Sequence, residues 1–385
     1  MIKASEPMHI LIAPDSFKDA LSAREAAEAI RRGLARALPD AELTACPLGD
    51  GGEGTLEAVL AATRAERREC RVHDALGRPR QAGWGWIGES RTAIVELAEA
   101  SGLQHLAREE RDATRASTFG VGELILEALD EGAEHLVLTL GGSATNDGGT
   151  GMMTALGMRF LDADDQPLPP GGGALDRLHR IDDTQLDPRL AGLTMEAAVD
   201  VDNPLCGARG ASAIFGPQKG ADAGTIHHLD HGLARLADCM AERLERDPRN
   251  DPGAGAAGGM GYAALAFCGA RLRPGIELVM ETVGFDSLLQ LADLVITGEG
   301  QLDGQSLAGK TPIGVSRRAC RDGIPTVALV GRLGEGWQAV HEEGMTAAFA
   351  LADGPLSLDD ALSRCTELLT DRAESVARLF TARPA

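Results

Sequence analysis

Apolar positions open the chain with a strand-to-helix pattern. His9 to Ala13 is a continuous apolar run stopped by Pro14, which predicts a short buried strand. Ser22 with Glu25 three residues on is a capping-box signal, and the helix it starts runs to about Leu38, where Pro39 follows. Leu43 to Leu48 reads as a second strand and Glu53 to Thr63 as a second helix. Between about 66 and 97 the helices drop out: Cys70–His73, Gly83–Ile87 and Thr92–Leu97 read as successive strands. Mixed segments follow to about 285. They comprise helices at Phe119–Leu129 and Gly148–Leu156, strands at His135–Leu140 and Met195–Val201, and a long amphipathic helix at Ile226–Leu244. Alternation then returns. Strands at Asp293–Thr297, Thr326–Val330 and Thr346–Ala350 are separated by helices at Pro312–Cys320 and Gly336–Glu343, and a helix at Leu358–Leu379 closes the chain.

Alternating helices and apolar, β-branched strands imply a parallel sheet covered on both faces. Two such strands lie at the start and three at the end. The expectation is an α/β protein: a discontinuous, flavodoxin-like, doubly wound domain (1–65 and 286–385) interrupted by a second α/β domain with a mixed sheet (66–285). With strand order 2-1-3-4-5, the switch point falls between the first strand and the one at 293–297, where ligands bind at the carboxyl ends of the strands. Those ends carry Pro14-Asp15-Ser16-Phe17-Lys18 and Gly298-Glu299-Gly300-Gln301-Leu302-Asp303. The active site is therefore expected in an interdomain cleft that closes on its substrate.

Composition narrows the chemistry. Hydrophobic residues are 44% and charged residues 25%, an ordinary globular balance. Aromatics are 3%, too few for a stacking platform for single-stranded nucleic acid. With 37 Lys and Arg against 58 Asp and Glu, the net charge is -21, which repels phosphate backbones and anionic lipid and argues against nucleic-acid and membrane partners. No apolar stretch approaches ~18 residues, and residues 1 to 7 read as a polar extension rather than a signal peptide. Seven Cys with no C-x-x-C predict reduced thiols in a cytoplasmic protein.

Glycine is 48 of 385 residues and concentrates in Asp50-Gly51-Gly52-Glu53-Gly54-Thr55, in Gly141 to Gly149, and in Gly253 to Gly261. Each run sits at or near a helix start, where backbone N–H groups can approach an anion. None is a Walker A or G-x-G-x-x-G motif. Acidic residues recur beside them: Asp15, Asp50, Glu53, Asp147, Asp200, Asp202, Glu299 and Asp303. Carboxylates beside phosphate-cradling loops suit phosphoryl transfer from a magnesium nucleotide. His227, His228 and His231 form H-H-x-x-H without the Glu of a zinc protease, and read as a solvated helix face. Met152 and Met153 read as core. The basic residues are 33 Arg and only four Lys. Lys3 falls in the extension, whereas Lys18, Lys219 and Lys310 all lie in Gly- or Pro-containing loops near the candidate site. A compact ammonium fits a tight phosphate or carboxylate site where a guanidinium does not.

Six blocks together resemble the type-1 glycerate kinase family: Pro14 to Lys18, Asp50 to Thr55, Gly141 to Gly149, Asp200-Val201-Asp202-Asn203-Pro204-Leu205, Phe215 to Ala221, and Gly298 to Ser306 with Gly309-Lys310-Thr311-Pro312. The resemblance implies ATP-dependent phosphorylation of D-glycerate, usually at the 2-hydroxyl, on a flavodoxin-like domain interrupted by a second α/β domain. The expected catalytic residues are Asp15, Lys18, Asp200 and Lys310. ATP is expected at Gly141, Gly142, Ser143, Asn146, Asp147, Gly255, Gly258 and Gly259. Glycerate is expected at Ser16, Asp50, Gly51, Gly52, Glu53, Asn203, Lys219 and Asp303, and Mg²⁺ at Asp200 and Glu299. Which Gly-rich loop takes ATP stays open, as does the general base among Asp15, Asp50, Asp147 and Asp200, and the oligomeric state. The alternatives are a glycerate 3-kinase and a flavodoxin-like ligand-binding module without catalysis.

Overall fold

A computed structural model describes residues 7–304 and 306–381. Lys3 and most of the expected extension, and Gln305 of the last signature block, lie outside the described residues. The chain divides into two compact units: Met1–Asp50 with Glu57–Arg64 and Ile276–Ala385, and Gly51–Leu56 with Ala65–Gly275.

The first unit holds a five-stranded sheet ordered Ala347–Ala350, Thr326–Leu333, Leu294–Leu302, His9–Pro14, Glu42–Ala45. Every pairing is parallel. Numbered along the chain this is 2-1-3-4-5, so the two strands flanking the switch come from opposite ends of the sequence. Pro14 sits last in its strand, paired with Gly298, where its missing N–H interrupts little of the ladder. The central strands are apolar on both sides because both faces are covered. One face packs Ile10, Ile12, Leu294 and Leu329 under the helices Ala23–Ala37 and Cys365–Thr381. Gly33 lets those helices close up, since a Cβ there would lie 2.1 Å from the Thr370 carbonyl oxygen. The other face packs Ala328 and Val330 against Ile313 of the helix Thr311–Arg321. Ser22 and Glu25 form the expected reciprocal capping box.

The second unit holds a six-stranded sheet ordered Arg271–Arg273, Thr194–Ala198, His135–Thr139, Thr92–Glu96, Pro79–Ile87, Glu66–His73. The first four strands are parallel and the last two join antiparallel, which makes the sheet mixed. Met152 and Met153 are fully buried in its core.

Several expected elements differ in extent. The strand expected at Leu43–Leu48 ends at Ala45, yet Cys46 and Leu48 still donate N–H bonds to Ile12 and Pro14. The helices expected at Glu53–Thr63 and Gly148–Leu156 start only at Thr55 and Thr150, because positive φ at Gly54 and Gly149 holds the backbone out of the helix. Gly336–Glu343 is a 3₁₀ turn at Trp337–His341. The closing helix is two, Leu358–Ser363 and Cys365–Thr381, divided at Arg364 (φ −96°, ψ 6°). The apolar periodicity missed helices at Ala256–Cys268 and Gly275–Thr282.

Candidate active site

In the first unit, chemistry gathers where the two switch-point strands end. Asp15 follows the first strand and donates its N–H to Gly298 O at 2.8 Å. Its Oδ1 accepts from the Ser16 N–H at 2.6 Å and its Oδ2 from the Thr311 hydroxyl at 2.5 Å. Burial, then the neighbouring charge of Asp50, holds the Asp15 carboxyl well above the ordinary carboxylate range, against the Thr311 and Ser16 hydrogen bonds. Glu299 is buried on the adjacent strand. Ser306 Oγ donates to its Oε1 at 2.8 Å, and Lys310 Nζ lies 3.7 Å from its Oε2. Burial nonetheless pushes Glu299 up to about 7, with Asp15 and Asp50 adding repulsion. Lys310 occupies the N-cap position of the helix Thr311–Arg321, behind Gly309 at φ 111° and ahead of Pro312. Lys18 is exposed, and its ammonium has no ion-pair partner among the described residues. Asp303 accepts from Gln301 Nε2 at 2.5 Å, and its N–H donates to Ser306 Oγ. The fold thus brings Asp15, Ser16, Asp50, Glu299, Lys310 and Thr311 into one electrostatic cluster.

In the second unit, two Gly-rich turns meet backbone to backbone. Gly141 N–H donates to Gly51 O at 3.3 Å, and a Cβ at Gly141 would lie 2.5 Å from Gly52 Cα. Gly51 itself needs φ 91° and would place a Cβ 2.8 Å from that of Ala198. The turn is anchored by Glu96, whose oxygens accept from the N–H groups of Gly54 and Leu56, both at 3.0 Å. Burial pushes Glu96 up to about 7 despite those bonds. Glu53, in the same turn, is exposed.

The run from Gly141 to Gly149 is held from inside. Asp147 is sealed from solvent. It accepts from Thr118 N–H (2.8 Å) and Oγ1 (2.9 Å) and from the N–H groups of Gly149 and Gly151, both at 3.1 Å. Ser143 Oγ lies 2.9 Å from Thr145 Oγ1. Asn146 Nδ2 donates to Ser212 Oγ at 2.9 Å, while its buried Oδ1 has no partner. Lys219 is only 2% exposed and donates to Thr145 O at 2.6 Å. Burial pulls its pKa down to about 7, against the attraction of Asp147.

The third glycine run packs on this loop. Gly258 (φ 71°) would place a Cβ 2.0 Å from Thr145 O, and Gly148 N–H donates to Gly258 O at 3.0 Å. Gly255 N–H donates to Asn203 O, and Gly259 lies against Gly148 Cα. Asn203 Nδ2 donates to Arg209 O. Asp200 is exposed after its strand and accepts from Gly275 N–H at 2.9 Å.

The family model described as "Glycerate kinase family" matches residues 10–381. The chain belongs to the glycerate kinase family. A glycerate kinase of Halalkalibacterium halodurans is 45% identical over 368 residues, covering 96% of this chain and 97% of the relative. The glycerate 2-kinase of Escherichia coli K12 is 44% identical over 370 residues, with the same coverage. A crystal structure from Salmonella typhimurium LT2, of a protein provisionally described as glycerate kinase 2, superposes with a TM-score of 0.88 at 44% identity, covering 97% of this chain and 98% of that one.

Within this glycerate kinase family chain, Ser306 and Thr311 stand in the signature blocks without an expected role, and Thr118 and Glu96, which hold the glycine-rich turns of the second unit, were not singled out by the sequence. Glu96 ends an apolar strand and left the only legible signal, a lone carboxylate after a β-branched run. Among the described residues, no group of three or more His, Cys, Asp or Glu is arranged to hold a metal ion. Likewise, no described helix is long and apolar enough to cross a membrane.

Proposed function

We propose that this chain transfers the γ-phosphoryl group of ATP to D-glycerate, at the 2-hydroxyl, releasing ADP and 2-phosphoglycerate. The observation that carries the reading is Asp15: a carboxylate at the switch point, desolvated and facing Asp50, with its proton affinity lifted towards neutrality, where a general base works best. Asp15 takes the proton as the glycerate oxygen forms its bond to phosphorus and the bond to the ADP oxygen breaks. Asp147 is not used as the base, since its carboxylate is already bonded to four donors and sealed. Lys310 and Lys18 are assigned to charge on the transferring phosphoryl and on the substrate carboxylate.

Mg²⁺ fits the donor set. The carboxylates of Asp50 and Glu299 are hard oxygen ligands, and burial, with the nearby charges of Asp15 and Asp50, raises Glu299, a penalty that a cation relieves. Mg²⁺ commonly binds through one or two carboxylates plus substrate phosphates and waters, so no preformed cage is needed. When bound it neutralises phosphate charge. Glu299 would hold it with Asp50, which leaves Asp15 to take the proton, and Asp200 stays a metal ligand expected from the sequence alone. All seven cysteines are free, which supports a reducing, cytoplasmic setting.

The test is ADP release by the purified protein, expected only with ATP, Mg²⁺ and D-glycerate together. ATP use with L-lactate or no acceptor, and none with glycerate, overturns the reading and leaves a binding module. Enolase converts 2-phosphoglycerate directly. A coupled signal that needs a phosphoglycerate mutase would move transfer to the 3-hydroxyl.

A further inference from the structure

A cavity of about 810 Å³ opens within the second unit, outside the residues assigned above. Its wall carries His73, Arg115, Arg177 and His228, together with Phe119 and Asp74. Clefts of ~300–1,000 Å³ hold cofactor-sized ligands, so the volume suits a nucleotide.

Charge selects the ligand class. In a chain of net charge -21, the side chains of Arg115 and Arg177 form no ion pair or hydrogen bond among the described residues, whereas arginines such as Arg189 and Arg249 are held by carboxylates. The acid in the wall, Asp74, is already committed. It accepts from Arg78 Nε at 2.6 Å and from the N–H groups of Leu76 and Arg78, both at 2.9 Å. The two imidazoles are held in place, His73 Nδ1 lying 2.9 Å from Glu123 Oε1 and His228 Nε2 lying 2.8 Å from Gly173 O. His228 belongs to the H-H-x-x-H run that the kinase reading leaves without a role. The remaining lining is largely apolar, with Phe119 presenting a ring beside His73 at 5.7 Å between centroids. Two free guanidiniums over an apolar floor suit a planar base joined to phosphates.

Position points the same way. The strand Glu66–His73 runs antiparallel to its neighbour, which is antiparallel to Thr92–Glu96, so His73 lies at the sheet edge where the strands before Gly141 and Asp200 also end. Both walls are pinned to the Gly141–Gly149 loop. Thr118, between the lining residues Ser117 and Phe119, bonds Asp147. Gly172, beside the lining residue Gly173, would place a Cβ 2.2 Å from Asn146 O.

We propose that this cavity binds the nucleotide, its apolar floor receiving the base and Arg115 and Arg177 its phosphates. The proposal rests on the kinase reading for the identity of the nucleotide. The experiment measures ADP affinity by calorimetry without glycerate, and the KM values for ATP and glycerate, in wild type, Arg115→Ala and Arg177→Ala. Both arginines are exposed, so truncation leaves the core intact. The expected result is ADP affinity at least ~10-fold weaker and KM for ATP at least ~10-fold higher in each variant, the scale of one lost charge-assisted contact, with KM for glycerate within about twofold. Folded variants with unchanged ADP affinity and KM for ATP overturn the proposal, as does a change confined to KM for glycerate. Wild type that binds ADP yet turns over no glycerate overturns the kinase reading instead, and the variants' ADP affinities then decide the cavity alone.

Discussion

The Thr311 hydroxyl donates to a carboxylate oxygen of Asp15 at 2.5 Å, although the two residues are 296 positions apart. The bond favours the ionised carboxylate and so works against the burial and the Asp50 charge that raise its pKa. If Asp15 is the base, activity falls as pH drops through its pKa. Thr311→Val removes the opposing bond, so the acidic limb of the pH–kcat/KM profile is expected to move to higher pH, with activity recovering above it. Asp15→Asn is expected to lose ~10²-fold or more at all pH values. A Thr311→Val limb that coincides with wild type would show that another group sets it.

Glu299 links the same cluster to stability. Its pKa in the fold, about 7, lies above the ordinary 4.5, so the folded state binds the extra proton between those values. Stability from this group is therefore complete below about 4.5 and is lost as pH rises through about 7, by on the order of 3 kcal/mol at most. Glu299→Gln cannot ionise. Its thermal midpoint is expected to exceed that of wild type at pH 8, with the gap closing at pH 5, while activity falls. Parallel midpoints at both pH values would contradict the assignment.

The three described lysines separate by environment. Lys18→Arg and Lys310→Arg are each expected to fold normally and lose at least ~10-fold in kcat/KM, about 1.4 kcal/mol of oriented contact. Lys219 is sealed in a site that pulls its pKa to about 7, where a guanidinium can neither fit as compactly nor shed its proton. Lys219→Arg is therefore expected to lower the thermal midpoint strongly, which the other two do not. Differential scanning fluorimetry beside steady-state kinetics distinguishes these outcomes.

Asp200 is exposed, and its Oδ1 accepts from the Gly275 N–H at 2.9 Å. Asp200→Asn preserves an oxygen for that bond and removes the charge. If the charge serves substrate or metal, turnover is expected to fall roughly 10²-fold at unchanged thermal midpoint. A near-wild-type rate would take Asp200 out of the catalytic set.

The order of the five-stranded sheet was legible because apolar runs of strand length alternate with amphipathic helices, and parallel connections admit few topologies. The Ser22–Glu25 cap was legible for the same reason, since its partners are three residues apart. The glycine runs were legible as special backbone, but not as packing devices. Gly258 reads as a loop residue until Thr145 O is seen 2.0 Å from its absent Cβ.

The sequence by itself determined the sheet order, the two strand ends that carry Asp15 and Glu299, and the family, because each is written in local periodicity or in contiguous blocks. Tertiary structure alone decided what those residues can do. Only the assembled fold shows that Asp147 is already bonded to four donors, that Lys219 is sealed against Thr145, and that Thr311 reaches Asp15. The physical reason is that ionisation and hydrogen-bonding capacity depend on desolvation and on partners tens to hundreds of residues away, neither of which leaves a mark on the neighbouring sequence.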